Sequence, residues 1–221
     1  MSGLDNRRPI RSRGSGWAKG GAATLAKAGV SPDAVSAAAV VFAALGCAAF
    51  VISGTAVGPS RVALLIAAGL CVQLRLICNL LDGLVAVEHG RGGPSGPIWN
   101  ELPDRVADAL FLVGAGYGGG LAGVGWAIPA GWLAAVLAVL TAYIRELGRG
   151  LGQPADFSGP GAKPQRMAVL TLGALVAAAE PMWGWRGLTL AMAVAFIAVL
   201  ATITAIRRTA RLASALRNTG T

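Results

Sequence analysis

Charged side chains are scarce in this chain of 221 residues: 13% are Asp, Glu, Lys or Arg, whereas 55% are hydrophobic and the mean hydropathy is +0.63. This composition excludes an ordinary soluble domain, whose surface helices need a polar face. Histidine occurs once and cysteine three times, so we expect neither a zinc site nor a disulfide framework. The composition instead suits a lipid bilayer.

Six apolar runs follow one another, each close to the ~20 residues that a helix needs to cross a bilayer. The runs cover residues 33–53, 62–88, 98–118, 126–147, 165–183 and 187–206. We therefore predict an all-α polytopic membrane protein with six transmembrane helices. Ahead of them, residues 16–29 predict either a short amphipathic helix lying on the headgroups or a flexible linker.

The net charge of +9 is concentrated between the apolar runs. The predicted organisation is a basic arm with the interfacial helix (residues 1–30), a membrane domain (31–207) and a basic tail (208–221). Cations so placed favour anionic lipid headgroups over nucleic acid as the partner, and they mark the cytoplasmic side of a membrane. We therefore expect both termini in the cytoplasm, which agrees with an even number of spans, and we expect no secretory signal.

Half of the ten acidic residues cluster between residues 79 and 108, where the second apolar run ends and the third begins. Helical spacing puts two polar residues on one face of the second run and three on one face of the third. The five residues are Asn79, Asp82, Glu101, Asp104 and Asp108. Two antiparallel helices would bring these oxygens together as ligands for Mg²⁺ or Mn²⁺, whose coordination is commonly completed by substrate phosphates. The alternative is that Arg75 and Arg105 neutralise the acids as salt bridges within the membrane.

The same stretch resembles the signature of the CDP-alcohol phosphotransferases, D-x-x-D-G-x-x-A-R, a spacer, and G-x-x-x-D-x-x-x-D. The matching residues are Asp82, Gly83 and Ala86, a spacer containing Gly96, then Asp104 and Asp108. The chain departs from the signature at three positions: Asn79 replaces the first Asp, Val87 replaces the Arg, and Asn100 replaces the second signature Gly. The loss of one charge weakens or removes one metal position unless Glu101 compensates for it.

This resemblance implies transfer of a phosphatidyl group from CDP-diacylglycerol to a small polar alcohol, which releases CMP. It implies one or two Mg²⁺ or Mn²⁺ ions on Asn79, Asp82, Asp104 and Asp108, with Asp108 also the candidate base. Gly83, Ala86 and Gly96 would lie against the cytidine diphosphate, and Arg91 or Arg145 would replace the missing Arg. A homodimer and a cytoplasmic active site are further family expectations.

Four cations near the predicted cytoplasmic side would suit an acceptor that carries a phosphate group. They are Arg145, Arg149, Lys163 and Arg166. Ordinary cytoplasmic anchoring explains the same residues. Two other functions also remain open: a prenyltransferase-like enzyme acting on a metal-bound diphosphate, and a catalytically impaired membrane scaffold or transporter.

Overall fold

The computed structural model of the chain describes residues 15–88 and 96–219, and within these ranges it is all-helical. Its α-helices are α1 (Gly16–Lys27), α2 (Pro32–Thr55), α3 (Gly58–Glu88), α4 (Gly96–Leu121), α5 (Ala127–Gly150), α6 (Lys163–Ala179) and α7 (Leu188–Thr219). A short 3₁₀ turn, Glu180–Trp183, joins α6 to α7. The all-α prediction is confirmed, and each predicted apolar run corresponds to one helix.

Four helices, α2, α3, α5 and α7, are long and apolar enough to cross a membrane. The other two fall short for different reasons: α4 carries Glu101, Asp104, Arg105 and Asp108, and α6 has only 17 residues. Four apolar helices fit an integral membrane protein, but the predicted count of six spans is not confirmed by length and composition.

The first helix packs on the chain instead of standing apart from it. Ala18 and Ala22 of α1 are fully buried and form a small apolar cluster with Leu80 and Leu84 of α3. A helix is therefore present at this position, and it covers the C-terminal end of α3. Trp17, on the opposite face, is exposed.

Helix α2 packs along both α3 and α4, while α5 packs between α4 and α7, and α6 between α3 and α7. The start of α2 is fixed by Ser31, whose Oγ accepts a hydrogen bond from the Ala34 amide at 3.1 Å, and Pro32 occupies the first helical position. Because α2 packs between most of α3 and most of α4, those two helices contact each other directly over only a short stretch.

Helices α4 and α5 approach through Gly116 and Gly131. A Cβ atom added to Gly116 would lie 2.7 Å from the Ala127 carbonyl oxygen and 2.9 Å from the Gly131 Cα. Such contacts are closer than backbone atoms tolerate, so both positions need Gly for helix packing, a pattern that is also common between closely packed membrane helices.

We expect Gly116→Ala to lower the thermal unfolding midpoint of the detergent-purified chain, because overpacking costs about 1–3 kcal/mol. Gly69→Ala is the matched control: it is also a buried helical Gly, but its added Cβ would meet Ala174 Cβ at an ordinary 3.7 Å. That control should keep or slightly raise the midpoint, since Ala favours helix over Gly by about 1 kcal/mol. Equal midpoints for the two variants would contradict the packing described.

The last helix continues well past the predicted end of the sixth run because the loop after α5 is fastened to it. Arg208 donates from Nε to the Ser158 carbonyl at 2.9 Å and from Nη1 to the Thr141 carbonyl at 2.7 Å. Arg211 Nη1 lies 2.9 Å from Asp156 Oδ2. Partial burial opposes ionisation of Asp156, but hydrogen bonds from Ser158 and the nearby arginines hold the pKa of that carboxyl below its usual value.

Candidate functional site: a buried acid–base cluster between three helices

The polar residues of α3 form one stripe: Arg75, Asn79 and Asp82 follow the spacing i, i+4, i+7. Asn79 lies opposite Asp104 of α4, and Arg75 lies opposite Asp108. The sequence instead predicts Asp82 and Asp104 at equal depth. That prediction places the start of α4 near residue 98, but α4 begins at Gly96. Measured from the start of the helix, Asp104 therefore lies about 3 Å farther along α4 than predicted, at ~1.5 Å of rise per residue.

Asp82 is 7% exposed and accepts a hydrogen bond from Ser36 Oγ of α2 at 2.7 Å on its Oδ2 atom. Its Oδ1 atom is buried, and among the described residues it has no hydrogen-bond partner. An unpaired carboxylate oxygen in an apolar surrounding is costly, so this atom marks a place where a further group can bind. Sequence reasoning missed Ser36, because a lone Ser in an apolar helix carries no distinctive pattern.

Asp104 is held on both sides by neutral and cationic donors. Asn79 Nδ2 donates to its Oδ1 atom, and Lys163 Nζ, from the first residue of α6, donates to its Oδ2 atom. Arg75 Nη2 lies 3.3 Å from the same Oδ1 atom. With its amide nitrogen directed at Asp104, Asn79 keeps its carbonyl oxygen as a possible cation ligand.

Asp108 lies between two guanidinium groups. Arg75 Nη2 donates to Oδ1 at 2.5 Å, and Arg166 Nη2 donates to Oδ2 at 2.6 Å. Arg166 is itself fixed by donating from Nη1 to the Gly161 carbonyl at 2.5 Å. Both oxygens of Asp108 are therefore engaged, and a role as proton acceptor requires one of these two contacts to open.

Glu101 has hydrogen-bond partners that differ from those of the other acids on α4. Its Oε2 atom accepts from Arg105 on the next turn of α4 and from Arg145 of α5. Arg145 also donates to Glu146 at 2.8 Å, and its guanidinium lies 5.0 Å from the centre of the Phe157 ring. The structure therefore gives Glu101 arginine partners, where the sequence suggested a ligand replacing the missing acid.

The predicted acceptor-binding cations divide into three groups. Lys163 and Arg166 enter the acid cluster, Arg145 lies at its edge through Glu101, and Arg149 is exposed and paired with Glu146 at 2.7 Å. The alternative in which arginines neutralise the acids is thus partly realised, since Arg75 and Arg105 both form ion pairs.

Among the predicted nucleotide-binding residues, Gly83 and Ala86 lie half-buried on α3 beside Asp82. Gly96 is the first residue of α4, with open space where a side chain would be. Arg91 falls outside the described residues.

A cavity of about 300 Å³ lies near the cluster, between the C-terminal ends of α5 and α7 and the loop that joins α5 to α6. Its lining includes Arg145, Arg208 and Arg211 together with Asp156. Its lining holds three cations and one acid, although Arg211 is paired with Asp156 and Arg145 with Glu101 and Glu146, so an anionic ligand would compete with these carboxylates for the arginines.

The side-chain oxygens of the cluster determine whether it can bind a divalent metal ion. Within residues 15–88 and 96–219, no three acidic, His or Cys side chains converge into a ready metal-binding group. Asp82 Oδ1 and the Asn79 carbonyl nevertheless offer hard oxygen donors, and Mg²⁺ sites commonly use only one or two carboxylates plus substrate phosphates. The residues therefore fit one ion that is completed by a bound diphosphate.

A cluster of three acids and three cations, four of them buried, lies on α3, α4 and α6 of a chain whose four apolar helices fit an integral membrane protein. Its fold is shared with the phosphatidylinositol phosphate synthase of Mycobacterium tuberculosis. The structure of that protein with manganese and citrate matches with a TM-score of 0.72 and 22% identity over 88% of each chain. The structure with CDP-DAG bound matches with a TM-score of 0.72 and 21% identity, covering 88% of this chain and 92% of that one.

In sequence, the chain is 36% identical over 155 residues to a bifunctional IPC transferase and DIPP synthase of Rubrobacter xylanophilus. The match covers 67% of this chain but only 32% of the relative, so the chain spans about a third of that protein. No protein-family model matches the chain. Taken with the shared fold, these similarities confirm the resemblance to the CDP-alcohol phosphotransferases that the signature predicts.

Proposed function

We propose that the chain is a metal-dependent CDP-alcohol phosphotransferase that transfers a phosphatidyl group from CDP-diacylglycerol to the hydroxyl of a small polar alcohol. The observation that carries this proposal is the buried Oδ1 atom of Asp82, which has no partner within the described part of the chain and lies beside the opposed polar faces of α3 and α4. The manganese and the CDP-DAG bound by the M. tuberculosis protein support the choice of cofactor and donor.

In the proposed reaction, the acceptor oxygen attacks the phosphorus next to the lipid, the phosphorus–oxygen bond to CMP breaks, and CMP leaves. Mg²⁺ or Mn²⁺, when bound, would neutralise charge on the diphosphate. Asp82 and Asn79 would hold that ion, and Lys163 would supply a further positive charge from α6. Asp108 would take the hydroxyl proton once Arg166 moves away from its Oδ2 atom.

The positive cavity beside the cluster supports a polar acceptor that enters from the loop side. Arg145 lines this cavity and also bonds Glu101 on α4, so it connects the cavity to the cluster. Guanidinium groups bind phosphate through paired hydrogen bonds, and an acceptor carrying a phosphate group would therefore suit this surface.

We also propose that all six helices from α2 to α7 span the membrane, with both termini and the site on the cytoplasmic side, and that the chain acts as a homodimer. The buried core supports the span count, because α4 and α6 contribute to the same apolar cluster as the four apolar helices. The charges of α4 face α3, α5 and α6 in ion pairs, which reduces the cost of placing them in a bilayer.

The test is CMP release by the purified full chain with CDP-diacylglycerol, Mn²⁺ and a panel of alcohols that includes phosphorylated polyols. A water-soluble CDP-linked alcohol serves as a second donor and tests donor choice. We expect CMP release that requires both the metal and one of the acceptors. A folded chain that releases no CMP with any pair of substrates would contradict the proposal and favour the scaffold or transporter alternative.

A further inference from the structure

Arg75 is a fully buried arginine in the middle of the acid cluster. Its Nη2 atom donates to Asp108 Oδ1 at 2.5 Å and to the Asp104 carbonyl oxygen at 3.0 Å, and it lies 3.3 Å from Asp104 Oδ1. One guanidinium nitrogen thus lies between the carboxylates of two acids that are one turn apart on α4. This is the position that a cation shared by those two carboxylates would take.

The cluster is neutral without any added ion. Its three carboxylates belong to Asp82, Asp104 and Asp108, and its three cations are Arg75, Lys163 and Arg166. Each further divalent ion would add two positive charges next to a guanidinium that cannot lose its proton. The Asn at position 79, where the signature has an acid, removes the fourth negative charge that a second ion would need.

The unpaired atoms of the cluster distinguish its two ends. At the Asp82 end, a buried carboxylate oxygen has no partner among the described residues, so a lone pair there is available to a cation. At the Asp108 end, both carboxylate oxygens are occupied by guanidinium groups. Among the described residues, the Nε and Nη1 atoms of Arg75 have no hydrogen-bond partner although the side chain is completely buried, so its hydrogen bonding there is poorer than that expected of an arginine retained for stability.

We propose that Arg75 is a built-in positive charge that takes the place of one metal ion between Asp104 and Asp108, so that the chain binds a single divalent ion at Asp82 and Asn79. This inference rests on the proposed function and specifies its metal content. Arg75 is a positioning residue in this assignment, since it acts on the acids and not on the substrate. The guanidinium of Arg75 supplies a positive charge between two acids. Asn79, which is neutral, means that no fourth acid has to be neutralised.

The test is the number of Mn²⁺ ions bound per chain, counted by electron paramagnetic resonance on the detergent-purified full chain with and without CDP. We expect one ion for the wild type. Asn79→Asp should also bind one ion, on the order of tenfold tighter, because a carboxylate is a stronger ligand for a hard cation than an amide. Two ions in either protein would overturn the assignment of Arg75.

A double variant tests Arg75 directly. Asn79→Asp combined with Arg75→Met should bind two ions, whereas Asn79→Asp combined with Arg75→Lys should keep one, because Lys retains the positive charge. A folded Met double variant that still binds one ion would overturn the proposal. If that variant does not fold, the counts for the wild type and Asn79→Asp still decide the question.

CMP release measured on the same samples separates this inference from the proposed function. If the wild type releases CMP and binds two ions, the role given to Arg75 is wrong but the proposed function stands. No bound Mn²⁺ together with no CMP release overturns both.

Discussion

Asp82→Asn is expected to lower CMP release by at least about 10²-fold, since loss of a ligand that neutralises transition-state charge costs several kcal/mol. The substitution keeps the size of the side chain and an oxygen that can accept from Ser36 Oγ, which lies 2.7 Å from Asp82 Oδ2. It removes a buried charge whose second oxygen has no partner among the described residues. The thermal unfolding midpoint should therefore stay the same or rise while activity falls, because the charge is retained for function at a cost in stability.

Asp33→Asn is the matched control for this experiment. Asp33 is an acid in the first turn of α2, on the helix that carries Ser36. Its replacement weakens only a favourable interaction with the helix dipole, which is worth about 0.3–1 kcal/mol. CMP release at the wild-type level in Asp82→Asn would contradict the role given to Asp82, and an equal loss in both variants would indicate a general effect of removing acids.

Glu180→Ala is expected to cause the largest loss of stability. Glu180 is completely buried in the turn between α6 and α7, where it accepts from Arg61 Nη2 at 2.8 Å and from the amides of Gly187 at 2.7 Å and Thr189 at 2.6 Å. Arg61, at the start of α3, also donates from Nη1 to the Ser53 carbonyl of α2 at 2.8 Å. One carboxylate therefore joins α2, α3 and α7 at the end of the molecule opposite the acid cluster.

Removing that carboxylate leaves a buried guanidinium without its counter-ion, which costs about 3–5 kcal/mol. For a chain of this size, we expect the thermal unfolding midpoint to fall by roughly 6–20 °C. The double variant Arg61→Met, Glu180→Gln removes both charges and keeps a carbonyl acceptor, so it should recover most of the loss. A single variant as stable as the double variant would contradict the role of this ion pair.

The Glu180→Ala and Asp82→Asn variants should also differ in their rates of CMP release. Arg61 lies 21 residues before Asp82 on α3, a distance of roughly 32 Å along the helix axis. Below its unfolding temperature, Glu180→Ala should therefore release CMP at the wild-type rate, in contrast to Asp82→Asn.

Much of the helical plan could be predicted from the sequence, because long apolar runs bounded by Gly, Pro and basic residues leave few other structures. The end of α7 could not be predicted. Its basic residues look like a solvated tail until Arg208 and Arg211 are seen to bind the loop after α5.

The sequence was enough to predict which residues form the site, but not which residues pair with one another across the helices. Helical spacing correctly grouped Asn79 with Asp82 and Asp104 with Asp108, because that grouping depends only on the turn of one helix. The pairing of Asn79 with Asp104 depends on where α4 begins and on α2 packing against both helices, and neither is written in the local pattern. For the same reason, Arg75 could be recognised as a possible neutralising charge but not as a bridge between two acids.

The ion pairs of α4 also have a consequence for how the protein is assembled as it is synthesised. When α4 emerges from the ribosome, Arg75 is the one cation of the cluster already made, and it must serve both Asp104 and Asp108. Lys163 and Arg166, which complete those two pairs, follow more than fifty residues later. The charges of α4 are therefore fully compensated only after α6 has been made, so the order of synthesis differs from the order in which these ion pairs are completed.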